Sequence, residues 1–169
     1  QGDTREGIVA AFGEVPDYPM QRVWWHSSED NREYHGFDDS LAYLETVFRE
    51  RGPFDGVLGF AQGGTLAAVM AAMQPHPTIR FDFAICISAF PSRAAAHARY
   101  LAPQQSRLPS LHVLGENDIL VTPDRSTALY ASFDPATAVL AKHPGGHFVP
   151  SMWPYPEIRA FVGRFGAAV

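Results

Sequence analysis

The chain is poor in several residue types, and each scarcity excludes a class of protein. Its 169 residues include a single cysteine, Cys86, so no disulfide can form within the chain. The 13 lysines and arginines are outnumbered by 18 acidic residues and form no basic cluster, which argues against a nucleic-acid partner. No apolar run approaches the roughly 18 residues of a membrane span, and no signal segment is recognisable.

What remains is the composition of one soluble globular domain, with 46% hydrophobic and 18% charged residues. A chain of this length can bury one sizeable core, and we treat residues 1–169 as a single domain. Nothing points to secretion, so we expect the cytosol or an organelle matrix. Neither a metal nor a cofactor is expected. His143 and His147 flank a non-helical Pro-Gly-Gly segment, and no third ligand stands out.

A glycine-rich turn separates an apolar run from a helix-forming run. Residues 59–64 read Gly-Phe-Ala-Gln-Gly-Gly, after the apolar residues 56–58 and before the helix-forming residues 65–73. Strand, sharp turn and helix are the context of the G-x-S-x-G nucleophile elbow, in which glycines let the backbone present one side chain above the sheet. Ala61 stands where that motif has serine. The alternative interpretation is close packing of small residues at an ordinary turn.

Two polar residues downstream support the interpretation as an elbow. Asp118 ends a β-rich run that breaks at Gly115, and His147 follows a short strand over residues 137–143. A nucleophile position, an acid and a histidine, in that order, is the chain order of α/β-hydrolase triads, whose members all lie just past strands. Asp118 could instead cap a turn, and His147 could be an ordinary loop histidine.

Together these motifs resemble the FSH serine hydrolases of the α/β-hydrolase superfamily. The resemblance runs from about Arg22 to the C-terminus and rests also on Trp24-Trp25, on residues 52–60 and on the Gly-Gly-His-Phe-Val-Pro segment over residues 145–150. It implies a serine hydrolase of carboxylic esters or thioesters. It also implies that Ala61 occupies the nucleophile position, with Asp118 as the acid and His147 as the base.

A serine at position 61 would act by ordinary acyl transfer, with the backbone N–H of Gln62 as one oxyanion donor at the positive end of the elbow helix. A small apolar ester or thioester would suit the surrounding side chains. Those side chains are Phe60, Phe90, Phe148 and Trp153. Cys86 lies inside an apolar strand and is expected to be a buried structural thiol, and Ser88 a packing or hydrogen-bonding residue.

Alternating strands and helices predict an α/β fold with a doubly wound, mostly parallel sheet. Helices are predicted to start at Asp38 or Asp39, ending at Gly52, and to cover residues 62–73, 123–133 and 156–165. Strands are predicted over residues 54–60, 81–90, 110–115 and 137–143. The last helix is expected to turn Ile158, Phe161, Val162 and Phe165 inward. Residues 91–108 form a connection where many hydrolases place a lid.

The front end of the chain departs from the family pattern. Related hydrolases begin with a strand whose following loop donates a second oxyanion N–H, whereas residues 1–19 contain only the short apolar run Gly7–Phe12. We therefore expect the sheet beside residues 54–60 to be completed by an N-terminal segment or by a partner chain. Two functions remain open: an FSH-type esterase or thioesterase whose serine has been replaced, and a natural pseudoenzyme acting as a structural or binding subunit.

Overall fold

The computed structural model describes residues 22–151 and 154–166. Two short strands, β1 (His26–Ser27) and β2 (Tyr34–His35), form an antiparallel pair. The main sheet has four parallel strands in the order β3-β4-β5-β6. Their bounds are Gly56–Phe60 for β3, Phe83–Ile87 for β4, Ser110–Gly115 for β5 and Ala138–His143 for β6.

Helices alternate with these strands, which confirms the predicted α/β architecture. Helix α1 spans Phe37–Arg51, α2 spans Gln62–Ala72, α3 spans Pro123–Tyr130 and α4 spans Pro156–Gly163. The connection after β4, predicted as a site for a lid, contains only a short 3₁₀ turn, Ala95–His97. No helix in the described part of the chain combines the length and apolarity that crossing a bilayer requires.

The start of α1 differs from the prediction. The helix begins at Phe37 and is preceded by Gly36, whose φ of 84° is a left-handed conformation that glycine adopts without strain. Asp38 and Asp39 therefore do not cap the helix. They lie in its first turn, where their negative charge is stabilised by the helix dipole.

The core lies on both faces of the sheet, as a parallel sheet requires. Along β4, Ala84 and Cys86 face the layer that contains α2, while Ile85 and Ile87 face the layer that contains α4. Helix α2 is buried over most of its length because its alanines and glycines let it lie close to the sheet. Cys86 is buried as expected, and burial raises the pKa of its thiol to about 12.

Helix α4 buries a narrower face than the sequence predicts. Ile158 and Phe161 are fully buried, and Phe165 packs against the same layer. The inward prediction is wrong for Val162, which is 41% exposed. A helix advances about 100° per residue, so the neighbour of a central core residue is carried toward the edge of the buried face.

One edge of the sheet is open in the part of the chain that the structure describes. Strand β3 pairs with β4 on one side only, and Leu58 on β3 is 56% exposed. A groove of about 370 Å³ runs along this edge. Its walls are apolar and include Trp24, Leu44, Val47, Phe48, Phe54, Val57 and Leu66.

The buried His112 makes the stability of the fold depend on pH. Its ring packs against Tyr130 and Phe133 and hydrogen-bonds Ser110, and burial lowers its pKa to about 3. In the unfolded chain the same imidazole takes up a proton near pH 6.5. Its contribution to stability is therefore complete above about pH 6.5 and is lost as the pH falls toward 3.

We therefore predict that His112→Gln in the full-length protein flattens the fall in unfolding free energy below pH 6.5, by roughly 1.4 kcal/mol for each pH unit. Urea unfolding at a series of pH values measures this slope. His26→Gln is the matched control, because His26 is exposed on β1 and the same change there should leave the slope unaltered. Equal slopes for the two variants would contradict the prediction.

Candidate active site

The turn between β3 and α2 has the strained backbone of a nucleophile elbow. Ala61 lies between the strand and the helix with φ 50° and ψ −117°, a conformation that L-residues other than glycine rarely adopt. Its N–H donates to the carbonyl of Ile87 at 2.9 Å, and its carbonyl accepts from Thr65 at 3.0 Å. Close approach of the backbone explains the glycines: a Cβ at Gly59 would collide with the carbonyl of Gly63.

Gln62 begins helix α2 and has two separate roles. Its backbone N–H belongs to the first turn, whose N–H groups have no acceptor within the helix and lie at the positive end of the dipole. Its side-chain amide accepts from the N–H of Trp24 at 2.7 Å and donates to the carbonyl of Trp25 at 3.0 Å. The side-chain amide of Gln62 therefore holds Trp24 and Trp25 beside the elbow. Because both ends of the amide are hydrogen-bonded in this way, it is not available to a ligand.

Asp118 and His147 meet in a short hydrogen bond. His147 Nδ1 lies 2.8 Å from Asp118 Oδ2. The other carboxylate oxygen accepts from the N–H groups of Leu120 and Val121 at 3.0 and 2.8 Å, and Asp118 is only 3% exposed. A carboxylate only accepts hydrogen bonds, so Nδ1 of a neutral His147 ring donates to Asp118 and Nε2 is left as the acceptor. This is the tautomer that a general base requires.

The histidine ring lies beside the elbow. Its centroid is 4.7 Å from that of Phe60, the residue immediately before Ala61. The structure thus gathers the predicted acid and the predicted base at the carboxyl edge of the sheet, next to the predicted nucleophile position. These residues are up to 86 positions apart in the chain, and only the parallel register of β3, β5 and β6 brings them together.

The predicted apolar lining is divided between the surface and the core. Phe60 contacts His147, and Phe148 is 47% exposed on the loop that carries the histidine. Phe90 is instead buried in the core, where the guanidinium of Arg125 lies 4.5 Å from its ring centroid. Trp153 lies outside the residues that the structure describes.

Sequence reasoning missed two apolar residues beside the site. Ile119, directly after Asp118, is 69% exposed, and Val149 lies exposed close after His147. With Phe148 they place exposed apolar side chains on the loops that carry the acid and the histidine. Their positions next to Asp118 and His147 in the sequence were the available signal, but hydrophobicity alone predicts that such residues are buried.

Ser88 occupies the strand end next to Ala61. The pairing of Phe60 with Ile87 makes the following residues, Ala61 and Ser88, neighbours across β3 and β4. Ser88 also has a positive φ of 45°, is fully buried, and its hydroxyl has no hydrogen-bond partner among the described residues. No residue pattern around Ser88 signals this strain.

His143 is the last residue of strand β6, four residues before His147. Its Nδ1 accepts from the N–H of Gly145 at 3.2 Å, and its Nε2 is buried without a partner in the described part of the chain. Desolvation by burial lowers the pKa of His143, although the charges of Asp118 and Glu116 act in the opposite direction. The described residues include no group of three or more His, Cys, Asp or Glu arranged to hold a metal ion.

The sequence that carries this site is similar to those of known proteins. Residues 4–157 match the sequence model of a family described as "Serine hydrolase (FSH1)". The chain belongs to this family. The resemblance predicted from the motifs is therefore confirmed.

Several curated relatives carry the name esterase. The chain is 36% identical over 143 residues to "Esterase OVCA2" of Danio rerio, covering 78% of this chain and 62% of that protein. It is 32% identical over 161 residues to "Esterase OVCA2" of Homo sapiens, covering 88% of this chain and 70% of that protein. This FSH-family chain thus spans less than two thirds of the length of the Danio rerio relative.

Solved structures show the same fold at low sequence identity. Zea mays acyl-protein thioesterase 2 is similar with a TM-score of 0.58 and 18% identity, over 85% of this chain and 73% of that one. Esterase PE8 is similar with a TM-score of 0.60 and 20% identity, over 85% of this chain and 70% of that one. These likenesses establish the α/β-hydrolase fold of this FSH-family chain.

The strain at Ala61 yields a stability prediction. Because glycine adopts this φ and ψ freely, Ala61→Gly should leave the unfolding free energy of the full-length protein unchanged or raise it by up to about 1 kcal/mol. The melting temperature should follow the same direction. The control is Ala42→Gly, the same change at an exposed position inside α1, which should cost about 1 kcal/mol. Equal losses for both variants would show that the turn at Ala61 stores no strain.

Proposed function

We propose that this site is that of an FSH-type serine hydrolase acting on a carboxylic ester or thioester, and that the chain as it stands is inert because position 61 is alanine. The hydrogen bond of 2.8 Å between Asp118 and His147, beside a nucleophile elbow, is the observation that carries the proposal. Membership of a serine hydrolase family and relatives named esterases support the same reaction class.

The arrangement supplies an acid, a base and one oxyanion donor for acyl transfer, and it lacks the nucleophile. With a hydroxyl at position 61, Nε2 of His147 takes its proton as the oxygen attacks the acyl carbon, and Asp118 stabilises the imidazolium that forms. The developing oxyanion accepts a hydrogen bond from the backbone N–H of Gln62. His147 then returns the proton to the leaving alcohol or thiol, and water releases the acyl group by the same steps.

Among the described residues, no other nucleophile replaces serine at the elbow. Ser88 lies on the neighbouring strand end but is fully buried, and Cys86 is buried with a thiol pKa raised to about 12. Loss of the serine from a comparable triad costs on the order of 10⁶ in kcat. The chain is therefore proposed to lack serine hydrolase turnover while keeping the acid, the base and the turn.

The surroundings of the site favour an apolar acyl group. Phe60 packs on His147. Ile119 follows the acid in the sequence and Phe148 follows the histidine, and both expose apolar surface. Covering such surface contributes about 25 cal/mol for each Å² removed from water. A substrate with an apolar acyl chain gains this contribution, whereas a strongly polar one does not.

A second candidate function, a structural or binding role, is favoured by the open edge of β3. The outer backbone groups of β3, which pair with no other strand within residues 22–151 and 154–166, and the exposed Leu58 form a surface that a folded protein covers, and the apolar groove lies alongside it. We propose that an N-terminal segment or a partner chain completes the sheet there. That covering segment would also supply the second oxyanion donor.

Restoring the hydroxyl tests the proposed hydrolase site. Ala61→Ser in the full-length protein should react with a fluorophosphonate probe, because His147 and Asp118 remain in place to activate the hydroxyl. The probe is followed by fluorescence of the labelled band. The unaltered chain and the double variant Ala61→Ser, His147→Ala are the controls, and both should stay unlabelled.

A folded Ala61→Ser protein that is not labelled would overturn the proposal of an intact hydrolase site and leave the binding role. Labelling that persists in the double variant would show that His147 is not the base. Circular dichroism establishes that each variant is folded before the probe is added.

The open edge of β3 is tested with residues 1–169 expressed alone. We predict aggregation or a broad, weakly cooperative melting transition, and Leu58→Lys should reduce the aggregation because a charge on an edge strand opposes pairing. Tyr43→Lys is the control, since Tyr43 is exposed on α1 outside the groove. A sharply melting monomer would show that the chain needs no covering segment.

A further inference from the structure

The loops that carry Asp118 and His147 are joined directly to each other. The N–H of Glu116 donates to the carbonyl of His143 at 2.8 Å, and the N–H of Asn117 donates to the carbonyl of Gly145 at 3.0 Å. These backbone bonds continue the pairing of β5 with β6 past the strand ends, so the two loops leave the sheet side by side.

Asn117 adds a bond that belongs to its side chain alone. Its amide nitrogen Nδ2 donates to the carbonyl of Pro144 at 2.7 Å. Its backbone N–H also donates to the carbonyl of Gly145, so Asn117 binds two successive carbonyl groups of the loop that carries His147, here called the histidine loop. It stands one residue before the acid, and the peptides it holds lie two and three residues before the base.

Two glycines lie directly before the base. The sequence between Pro144 and His147 is Gly-Gly, and glycines lose the most conformational freedom on folding. The acid loop, which carries Asp118, comes close to these glycines, since a Cβ at Gly115 would meet the carbonyl oxygens of Gly145 and Gly146 at 2.6 and 2.5 Å, which real contacts do not allow. Bonds from the acid loop therefore reach the part of the histidine loop whose backbone has the most freedom to lose.

We propose that Asn117 is a positioning residue that, through Pro144 and Gly145, sets the path of the histidine loop and so the distance between His147 and Asp118. The inference rests on the proposed hydrolase function, for which it names a residue beyond the nucleophile position, acid, base and oxyanion donor. Asn117 itself does not touch the reacting atoms. It acts by limiting the orientations of the imidazole that compete with the productive one.

The test uses two readouts, one of which needs no catalysis. In the full-length protein with Ala61, NMR follows the low-field proton of His147 Nδ1, assigned by its disappearance in His147→Ala. Asn117→Ala should broaden or abolish this resonance, because the proton exchanges with water faster when the bond to Asp118 opens more often. In the Ala61→Ser protein, Asn117→Ala should slow fluorophosphonate labelling roughly threefold to tenfold, as expected for the loss of one hydrogen bond.

Two further variants separate positioning from general stability. Asn117→Asp keeps the shape and the backbone bond but removes the donor, so it should weaken the resonance as Asn117→Ala does. Glu116→Gln changes the neighbouring exposed side chain and keeps the backbone bond to His143, so both readouts should stay within about twofold of the parent. Melting curves show that spectra are recorded well below unfolding.

The outcomes distinguish this proposal from the one it rests on. If Ala61→Ser is not labelled, the hydrolase proposal fails and the His147 resonance alone decides the role of Asn117. A resonance in Asn117→Ala as sharp as in Glu116→Gln would overturn the positioning role, and so would a lowered melting temperature without any change at His147.

Discussion

The close approach of the backbone at the elbow is the constraint on which the site depends. Gly59 and Gly64 must lack side chains because the end of β3 and the start of α2 come into direct contact, and Ala61 between them has a positive φ. The same turn points the first N–H groups of α2 toward the sheet edge and lets the small residues of α2 pack on the strands. A strained backbone of this kind persists only when the surrounding structure holds it.

The strain is retained although the hydroxyl it presents in serine hydrolases is missing. The turn, the buried Asp118 with three acceptor contacts, and His147 in the tautomer of a base form one connected arrangement. Under the proposed function, the alanine removes the reacting atom and leaves the geometry that would activate it.

Much of the fold could be predicted from the sequence because its signals are local. Apolar runs, an alanine-rich helix and glycines at strand ends predicted the α/β order, and most element bounds differ from the structure by a few residues. The errors arise where tertiary contacts decide. Gly36 rather than an aspartate precedes the first turn of α1, and Val162 turns outward.

For the site, the sequence by itself determined the chemical identities: alanine at the elbow, a carboxylate and an imidazole after later strands, and glycines where the backbone must turn sharply. Only the tertiary structure decided which of them meet. The parallel register of β5 and β6 sets Asp118 against His147 and brings Asn117 onto Pro144, and the order of the strands puts this pair beside Phe60 and the elbow. Such contacts depend on register and loop path, which local residue patterns do not encode.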